Sequence, residues 1–288
     1  MTDKAKNIIS FQGIAGAHSD MACKIAYPYY NTLPCDSFEE TFEKVENGEA
    51  ALAHIPIENS NAGRVAEIHN LLPKTSLNIV GEYFHAVSHQ LLATKDAKLE
   101  DIKTVYSHPQ ALMQCQNKCL ELGLESKPYF DTAAAAKYVS EQNDPTIAAL
   151  ASNLAGELYG LQTLQADLQD SNNYTLFIAL SKSPVDIAPE TEHVLTTLLF
   201  TTRNIAAGLY KALGGFATNN VNILKLESYI PDYESREAEF FITFEGHPEQ
   251  KNVQHALEEL GFFTKRVKVL GVYEADPIRY PKKKLEAY

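Results

Sequence analysis

The hydrophobic and polar positions of this chain alternate between short apolar runs and amphipathic stretches. Apolar runs at residues 7–11, 50–57, 77–84, 87–94, 102–107, 125–130, 146–151 and 174–181 predict strands. Helical spacing occupies 17–26, 37–47, 65–72, 109–122, 133–141 and 154–159. Within 37–47, Phe38, Phe42 and Val45 share one face, and Glu39, Glu40 and Glu43 lie off it. The punctuation agrees: Pro109 suits a first helical position, Gly123 and Pro73 act as stops, and Asp131-Thr132 offers an N-cap. Such βα alternation predicts an α/β fold with mostly parallel strands. The segments near 80–92 and 165–175 are expected to cross between two lobes.

After residue 182 the texture changes. Residues 183–192 hold two prolines without strong periodicity and read as a linker. Beyond it come a strand at 193–202, a helix at 206–217 interrupted by Gly214-Gly215, a strand at 221–230 and a polar loop at 231–236. A strand at 238–245, a helix at 250–260 and a strand at 267–273 complete the series. That order, β-α-β-β-α-β, is the ferredoxin-like plan. The expected domains are therefore 1–182, the linker, a small domain at 193–275 and a tail at 276–288.

The polar clusters at 13–19, 58–64, 107–110, 131–132 and 152–153 all sit where a predicted strand ends and a helix begins. Open α/β sheets bind ligands outside the carboxyl ends of their strands, where helix N-termini present unpaired N–H groups. A sixth cluster, Asp170-Ser171-Asn172-Asn173-Tyr174-Thr175-Leu176-Phe177, feeds the last strand of the first domain. These corners together predict one crevice. Each cluster also has a plainer reading: Asn59 and Ser60 are ready N-caps, Asn173 suits a turn, and Thr175 suits a local strand hydrogen bond. Ser107 and His108 are adjacent and lack an orienting acid, so they do not form a nucleophilic triad. Gly13–Gly16 is too short for a dinucleotide fingerprint. His18 and His85 are expected to be solvated.

Composition narrows the function. The 288 residues are 45% hydrophobic and 22% charged, as in a globular protein with a substantial core. A net charge of −12 argues against a broad nucleic-acid surface. No apolar run approaches the roughly 20 residues of a membrane span. The first residues carry no apolar leader, which predicts a cytoplasmic protein. Cys23, Cys35, Cys115 and Cys119 lack the partners of a zinc site and read as buried free thiols. Arginine is confined to Arg64, Arg203, Arg236, Arg266 and Arg279, so Arg64 stands alone in the first domain. An anionic ligand there must use Arg64, lysines or backbone N–H groups.

Several blocks then carry a resemblance. They are Phe11-Gln12-Gly13, Ile55-Pro56-Ile57-Glu58-Asn59-Ser60, Ser107-His108-Pro109-Gln110-Ala111-Leu112, Asp131-Thr132-Ala133, Ala148-Ala149-Leu150-Ala151-Ser152 and Asn173-Tyr174-Thr175-Leu176-Phe177. In this order they resemble prephenate dehydratase, in its monofunctional bacterial form with a C-terminal ACT domain. Gly208-Leu209 and Leu226-Glu227-Ser228 resemble that family's phenylalanine-binding blocks. The resemblance implies a two-lobed catalytic domain like type II periplasmic binding proteins, followed by the regulatory ACT domain. Three positions depart from the family pattern. Leu176 stands where a Thr-Arg-Phe block has arginine, Ala17-His18 replaces Thr-aromatic, and Tyr229-Ile230 follows Glu227-Ser228 where Arg-Pro is usual.

The implied reaction converts prephenate to phenylpyruvate with loss of carbon dioxide and water. It requires no metal, nucleophile or redox cofactor. It requires a proton for the departing ring hydroxyl and a grip on a dianion. The resemblance makes Thr175 the proton-delivering group. The implied substrate contacts are Glu58, Asn59, Ser60, Arg64, Ser107, His108, Gln110, Thr132, Asn153, Asn173 and Phe177, with Phe177 better suited to core support than to substrate contact. Arg64 would supply charge missing at position 176, and Glu58 would orient it. The implied phenylalanine contacts are Ala207, Gly208, Leu209, Asn222, Leu226, Glu227 and Ser228. A homodimer or homotetramer is expected, without nucleic-acid or membrane partners. Arogenate dehydratase and a catalytically weak amino-acid sensor are the rival readings.

Overall fold

A computed structural model of the chain describes residues 6–170, 172–230 and 237–280. Ser171, the expected loop at 231–236 and the end of the expected tail lie outside the described residues. The chain forms two compact units, one of Met1–Val65 with Phe84–Phe177 and the other of Ala66–Tyr83 with Ile178–Tyr288. Their division therefore differs from a simple cut near residue 182, because residues 66–83 group with the C-terminal part.

The first unit opens with β1 (Ile8–Gln12), α1 (His18–Ala26), β2 (Asn31–Cys35), α2 (Phe38–Glu46), β3 (Leu52–Asn59) and the short β4 (Gly63–Arg64). After α3 (Ala66–Leu71), the chain continues through β5 (Asn78–Ala86), β6 (Gln90–Ala93), β7 (Thr104–Ser107), α4 (Pro109–Gln114), α5 (Gln116–Glu121) and β8 (Glu125–Pro128). Then come α6 (Thr132–Gln142), β9 (Ile147–Ala151), α7 (Asn153–Tyr159), β10 (Gln162–Gln165) and β11 (Tyr174–Ser181). Two sheets result. One runs β2-β1-β3-β11-β5 with β4 paired to β3, and the other runs β10-β6-β9-β7-β8. β1 is parallel to β2 and β3, and β7 is parallel to β8 and β9. β6 is antiparallel to β9 and β10, so the second sheet is mixed rather than parallel throughout.

The central strands β6 and β9 of the second sheet are buried on both faces, which explains why they read as unbroken apolar runs. Leu91, Ala148 and Leu150 join Val105, Cys115 and Cys119 in one cluster. Their neighbours Leu92, Ala149 and Ala151 join Ala133, Ala135, Ala136 and Ala155 in another. Alanine on α6 permits close helix–sheet approach, and Asp131 caps that helix by accepting from Ala134 N at 2.9 Å. All four cysteines are buried and free.

The predicted helix 109–122 is two helices. Cys115 leaves helical geometry between α4 and α5. Asp170 fills the break: its N–H donates to Gln114 O at 2.8 Å, and its carboxylate accepts from Asn117 N at 3.1 Å. A carboxylate from another loop thus caps α5, a non-local effect invisible to helical spacing. Gly16 closes a second loop, at φ +87, where a Cβ would lie 3.1 Å from Ala155 Cα. Ser152 Oγ donates to Gly16 O at 2.5 Å and accepts from Ala155 N at 3.1 Å, which joins two of the predicted corners.

The second unit contains α3, part of β5, the end of β11, and then β12 (Val194–Thr202), α8 (Gly208–Thr218), β13 (Ile223–Tyr229), β14 (Glu239–Glu245), α9 (Lys251–Phe263) and β15 (Thr264–Glu274). The antiparallel order β13-β14-β12-β15 matches the ferredoxin-like plan. Phe216 and Ala212 of α8 and Val253, Ala256 and Leu260 of α9 pack on Leu198, Phe200 and Phe244. Residues 66–83 are pinned within this unit. Lys268 Nζ donates to Leu72 O at 3.2 Å, Pro73 O at 3.2 Å and Thr75 O at 2.6 Å, which neutralises carbonyls at the end of α3. Arg279 grips Glu82 bidentately at 2.5 and 2.8 Å. Among the described residues no helix is long and apolar enough to cross a membrane.

Gly271 of β15 is the tightest approach to this inserted segment. A Cβ there would sit 2.1 Å from Ile79 O. The change Gly271→Ala is expected to cost about 3 kcal/mol through overpacking. A urea titration reads this as a lowered midpoint, and an unchanged midpoint would contradict the contact.

Candidate active site

A cavity of about 260 Å³ in the first unit is lined from several of the predicted corners. Asn59 enters it from the end of β3, Arg64 from β4, and Asn173 and Thr175 from the start of β11. His108, Gln110, Ala111 and Gln114 come from the α4 corner, Thr132 from the start of α6, His89 from the approach to β6, and His18 from α1. No carboxylate is among these lining residues, and Arg64 is their one permanent cation.

Asn59 organises the wall. Its Oδ1 accepts from Asn61 N at 3.0 Å and Ala62 N at 2.9 Å, an Asx turn that fixes the amide's orientation. Its Nδ2 consequently donates to Asn173 Oδ1 at 2.6 Å and Thr175 Oγ1 at 2.9 Å. Asn173, only 4% exposed, donates from Nδ2 to Gln114 Oε1 at 2.7 Å. Backbone bonds hold the same junction, with Ser60 N donating to Tyr174 O at 2.8 Å and Val87 N to Asn173 O at 2.8 Å. Because Thr175 Oγ1 accepts from Asn59, its own hydrogen remains available to a ligand.

Other predicted residues lie elsewhere. Ser60 Oγ accepts from Tyr174 N at 3.0 Å and belongs to the strand junction. Ser107 is fully buried, and its Oγ donates to Leu150 O at 2.6 Å, which leaves no nucleophile there. Asn153 is exposed at the start of α7 and donates to Glu157 Oε1 at 2.7 Å. Glu58 sits opposite Arg64 in the β3–β4 register. Phe177 lies two residues beyond Thr175 but deeper, stacked on His54 at 4.7 Å with 9° between ring planes. The structure thus gives it core support and does not place it on the cavity wall.

Gln114 and His89 were missed by sequence reasoning, and His85 is buried and His18 half-buried where solvated rings were expected. His18 Nε2 lies 3.4 Å from His89 Nδ1, and His89 Nε2 lies 3.2 Å from Gln114 Oε1. Burial, then the neighbouring His89 and His85, hold the His18 pKa well below its ordinary value. Burial also lowers His89, opposed by its bond to Gln114. Burial takes His85 down to about 4, and burial with His85 nearby takes His54 down to about 3. His108 accepts from Gln110 N at 3.3 Å through Nδ1, so a neutral ring carries its proton on Nε2. Repetition of histidine along β3, along β5 and just before β6 was the available signal, but burial depends on partners distant in sequence.

In the second unit, Ala207 adopts a left-handed φ of +57 before Gly208 starts α8. A Cβ on Gly208 would lie 2.8 Å from Arg203 O. Asn222 follows the far end of α8, where it donates to Glu245 Oε2 at 2.9 Å, so it is not gathered with Gly208. Leu226, Glu227 and Ser228 lie on β13. Glu227 is engaged by Lys225 at 2.5 Å and by His69 at 2.9 Å. Burial would raise its pKa, but these two partners bring it down to about 2.

The neutral buried rings generate an acid sensitivity. Between pH 6.5 and their folded values, the unfolded chain binds protons that His54 and His85 do not bind when folded. Stability is therefore fully present above about pH 6.5 and declines as pH falls, by about 1.4 kcal/mol per pH unit for each ring. Urea midpoints at pH 7.5, 6 and 5 should fall in that order, and His54→Phe should flatten the dependence. A pH-independent midpoint would refute the assignment.

Comparisons with known proteins bear on this site. A family profile described as prephenate dehydratase matches residues 9–185. A bifunctional N-acyl-homoserine lactone acylase/prephenate dehydratase of Komagataeibacter europaeus is 44% identical over 95% of this chain and 98% of its own length. Arogenate dehydratase 2 of Petunia hybrida is 37% identical over 96% of this chain and 73% of its own. The crystal structure of prephenate dehydratase in complex with L-Phe from Arthrobacter aurescens superposes with a TM-score of 0.83 at 27% identity, covering 93% of this chain and 89% of that one.

Proposed function

This chain belongs to the prephenate dehydratase family, and from that premise we propose that it converts prephenate to phenylpyruvate by decarboxylating dehydration. The observation that carries this reading is the Asn59-to-Thr175 hydrogen bond, which leaves the threonine proton free to donate inside a cavity without carboxylates. The ring hydroxyl departs with that proton as water while the ring carboxylate leaves as carbon dioxide, and the electrons of the broken C–C bond complete the aromatic ring. A threonine hydroxyl is a weak acid, so it acts by hydrogen bonding as the C–O bond breaks and is reprotonated from water. Arg64, helped by amide and imidazole N–H groups, holds the carboxylates.

The C-terminal unit serves as an ACT domain through which L-phenylalanine inhibits the enzyme, supported by its β-α-β-β-α-β order and by the L-Phe named for the Arthrobacter aurescens relative. Ala207, Gly208, Leu209, Leu226, Glu227 and Ser228 form the effector region, with copies paired as a dimer or tetramer in the cytoplasm.

Arogenate differs from prephenate by an ammonium in place of the keto oxygen. The wall offers it no carboxylate, which favours prephenate, although plant relatives are named for arogenate. Purified protein supplied with prephenate, arogenate and an N-acyl-homoserine lactone in turn decides among them. Phenylpyruvate should form from prephenate and fall when L-phenylalanine is added. Ligand binding without any product would instead indicate a sensor. Thr175→Ala should lower kcat at least 100-fold, with partial recovery in Thr175→Ser. Arg64→Ala should raise KM about tenfold, the effect of losing one charged hydrogen bond. An unaltered KM would remove Arg64 from substrate binding.

A further inference from the structure

The hydrogen bonds around the cavity have only one self-consistent direction. Two backbone N–H groups point at Asn59 Oδ1, so its Nδ2 faces Asn173 and Thr175. Asn173 must answer with Oδ1, which turns its own Nδ2 towards Gln114. Gln114 must answer with Oε1. His89 Nε2 lies 3.2 Å from that same oxygen, so it carries a hydrogen. Burial keeps His89 neutral, and a neutral ring holds one hydrogen, so Nδ1 is a lone pair. His18 Nε2, 3.4 Å away, is then the donor.

This assignment accounts for an otherwise odd atom. His18 Nδ1 is buried without a hydrogen-bond partner. Such an orphan needs an explanation. Here the single hydrogen of a neutral His18 is committed to His89, and its other nitrogen is left bare. The His85 ring lies 5.7 Å from that of His18, and His108 and Arg64 line the same cavity.

We propose that His18 and His89 are a positioning pair for the dehydration, with the His18 Nε2–H fixing His89 in the tautomer that holds Gln114, and through it Asn173, beside Thr175. Without the His18 donor, His89 is free to place its hydrogen on Nδ1. Its Nε2 lone pair would then face Gln114 Oε1, two acceptors in contact. Gln114 would turn away, and Asn173 would lose its acceptor.

The proposal rests on the dehydratase reading above, and its test separates the two. Nitrogen-15 chemical shifts of the wild-type imidazoles report the tautomer directly, without any substrate. His89 should be Nε2-protonated at pH 7.5, and His18 likewise. His18→Phe should give a tautomer mixture at His89 and lower kcat for prephenate about tenfold, as for a buried acceptor left unmatched, with KM within about twofold. His18→Gln keeps an N–H at similar reach and should retain at least half the wild-type kcat. If His18→Phe fails to fold, judged by its thermal melt, His18→Leu replaces it, and the wild-type shifts still decide the tautomer. An Nδ1-protonated His89 in the wild type overturns the pair. So does wild-type turnover in His18→Phe, or equal impairment in the Phe and Gln variants, which would mean packing alone. Absence of wild-type turnover on any substrate overturns the dehydratase reading and the pair's catalytic role with it, while the shifts separately decide the hydrogen-bond direction.

Discussion

Asn59 carries the constraint on which the cavity depends. Its carboxamide joins residues 114 and 116 positions away in sequence and is itself fixed by two backbone N–H groups one turn ahead. A side chain with one acceptor end and one donor end transmits orientation, because satisfying one end dictates the other. In a buried setting each amide that turned over would leave unmatched donors and acceptors, at about 1–3 kcal/mol each. The network therefore has one low-energy arrangement, and Thr175 is presented with a free hydrogen as its consequence.

The electrostatics follow from the same burial. The chain carries a net charge of −12, yet among the described residues no acidic side chain lines the cavity. A dianion could not enter a site lined with carboxylates. Nor does the wall rely on many cations, since desolvation keeps His18 and His89 neutral and leaves Arg64 as the fixed charge. A site rich in neutral N–H and O–H donors holds carboxylates without stabilising them as strongly as ion pairs would. That suits the proposed dehydration, in which one carboxylate is lost.

Much of this was legible in the sequence where the signal is local. Pro109, Asp131 and Ser152 mark helix starts through short-range chemistry, and the structure places helices after each. Asn59, Arg64, His108, Gln110, Thr132, Asn173 and Thr175 could be assembled because each ends a strand or opens a helix. Ser107, Asn153 and Phe177 share those motifs but turn elsewhere. Backbone position at a corner does not fix whether a side chain points to the cavity, to Leu150 O, to Glu157 or into the core.

Gln114 shows why the remainder was hidden. By helical spacing it is an unremarkable polar residue in the middle of a segment running to residue 122. Its role depends on Asp170, which ends α4 at that residue by binding its carbonyl and caps the next helix with its carboxylate. The same loop carries Asn173, which uses Gln114 as its acceptor. One loop therefore both breaks the helix and recruits the residue exposed by the break. A pattern of apolar positions records what a helix buries against its sheet. It does not record a carboxylate arriving from 53 residues away, and a site built by such an arrival has no local signature.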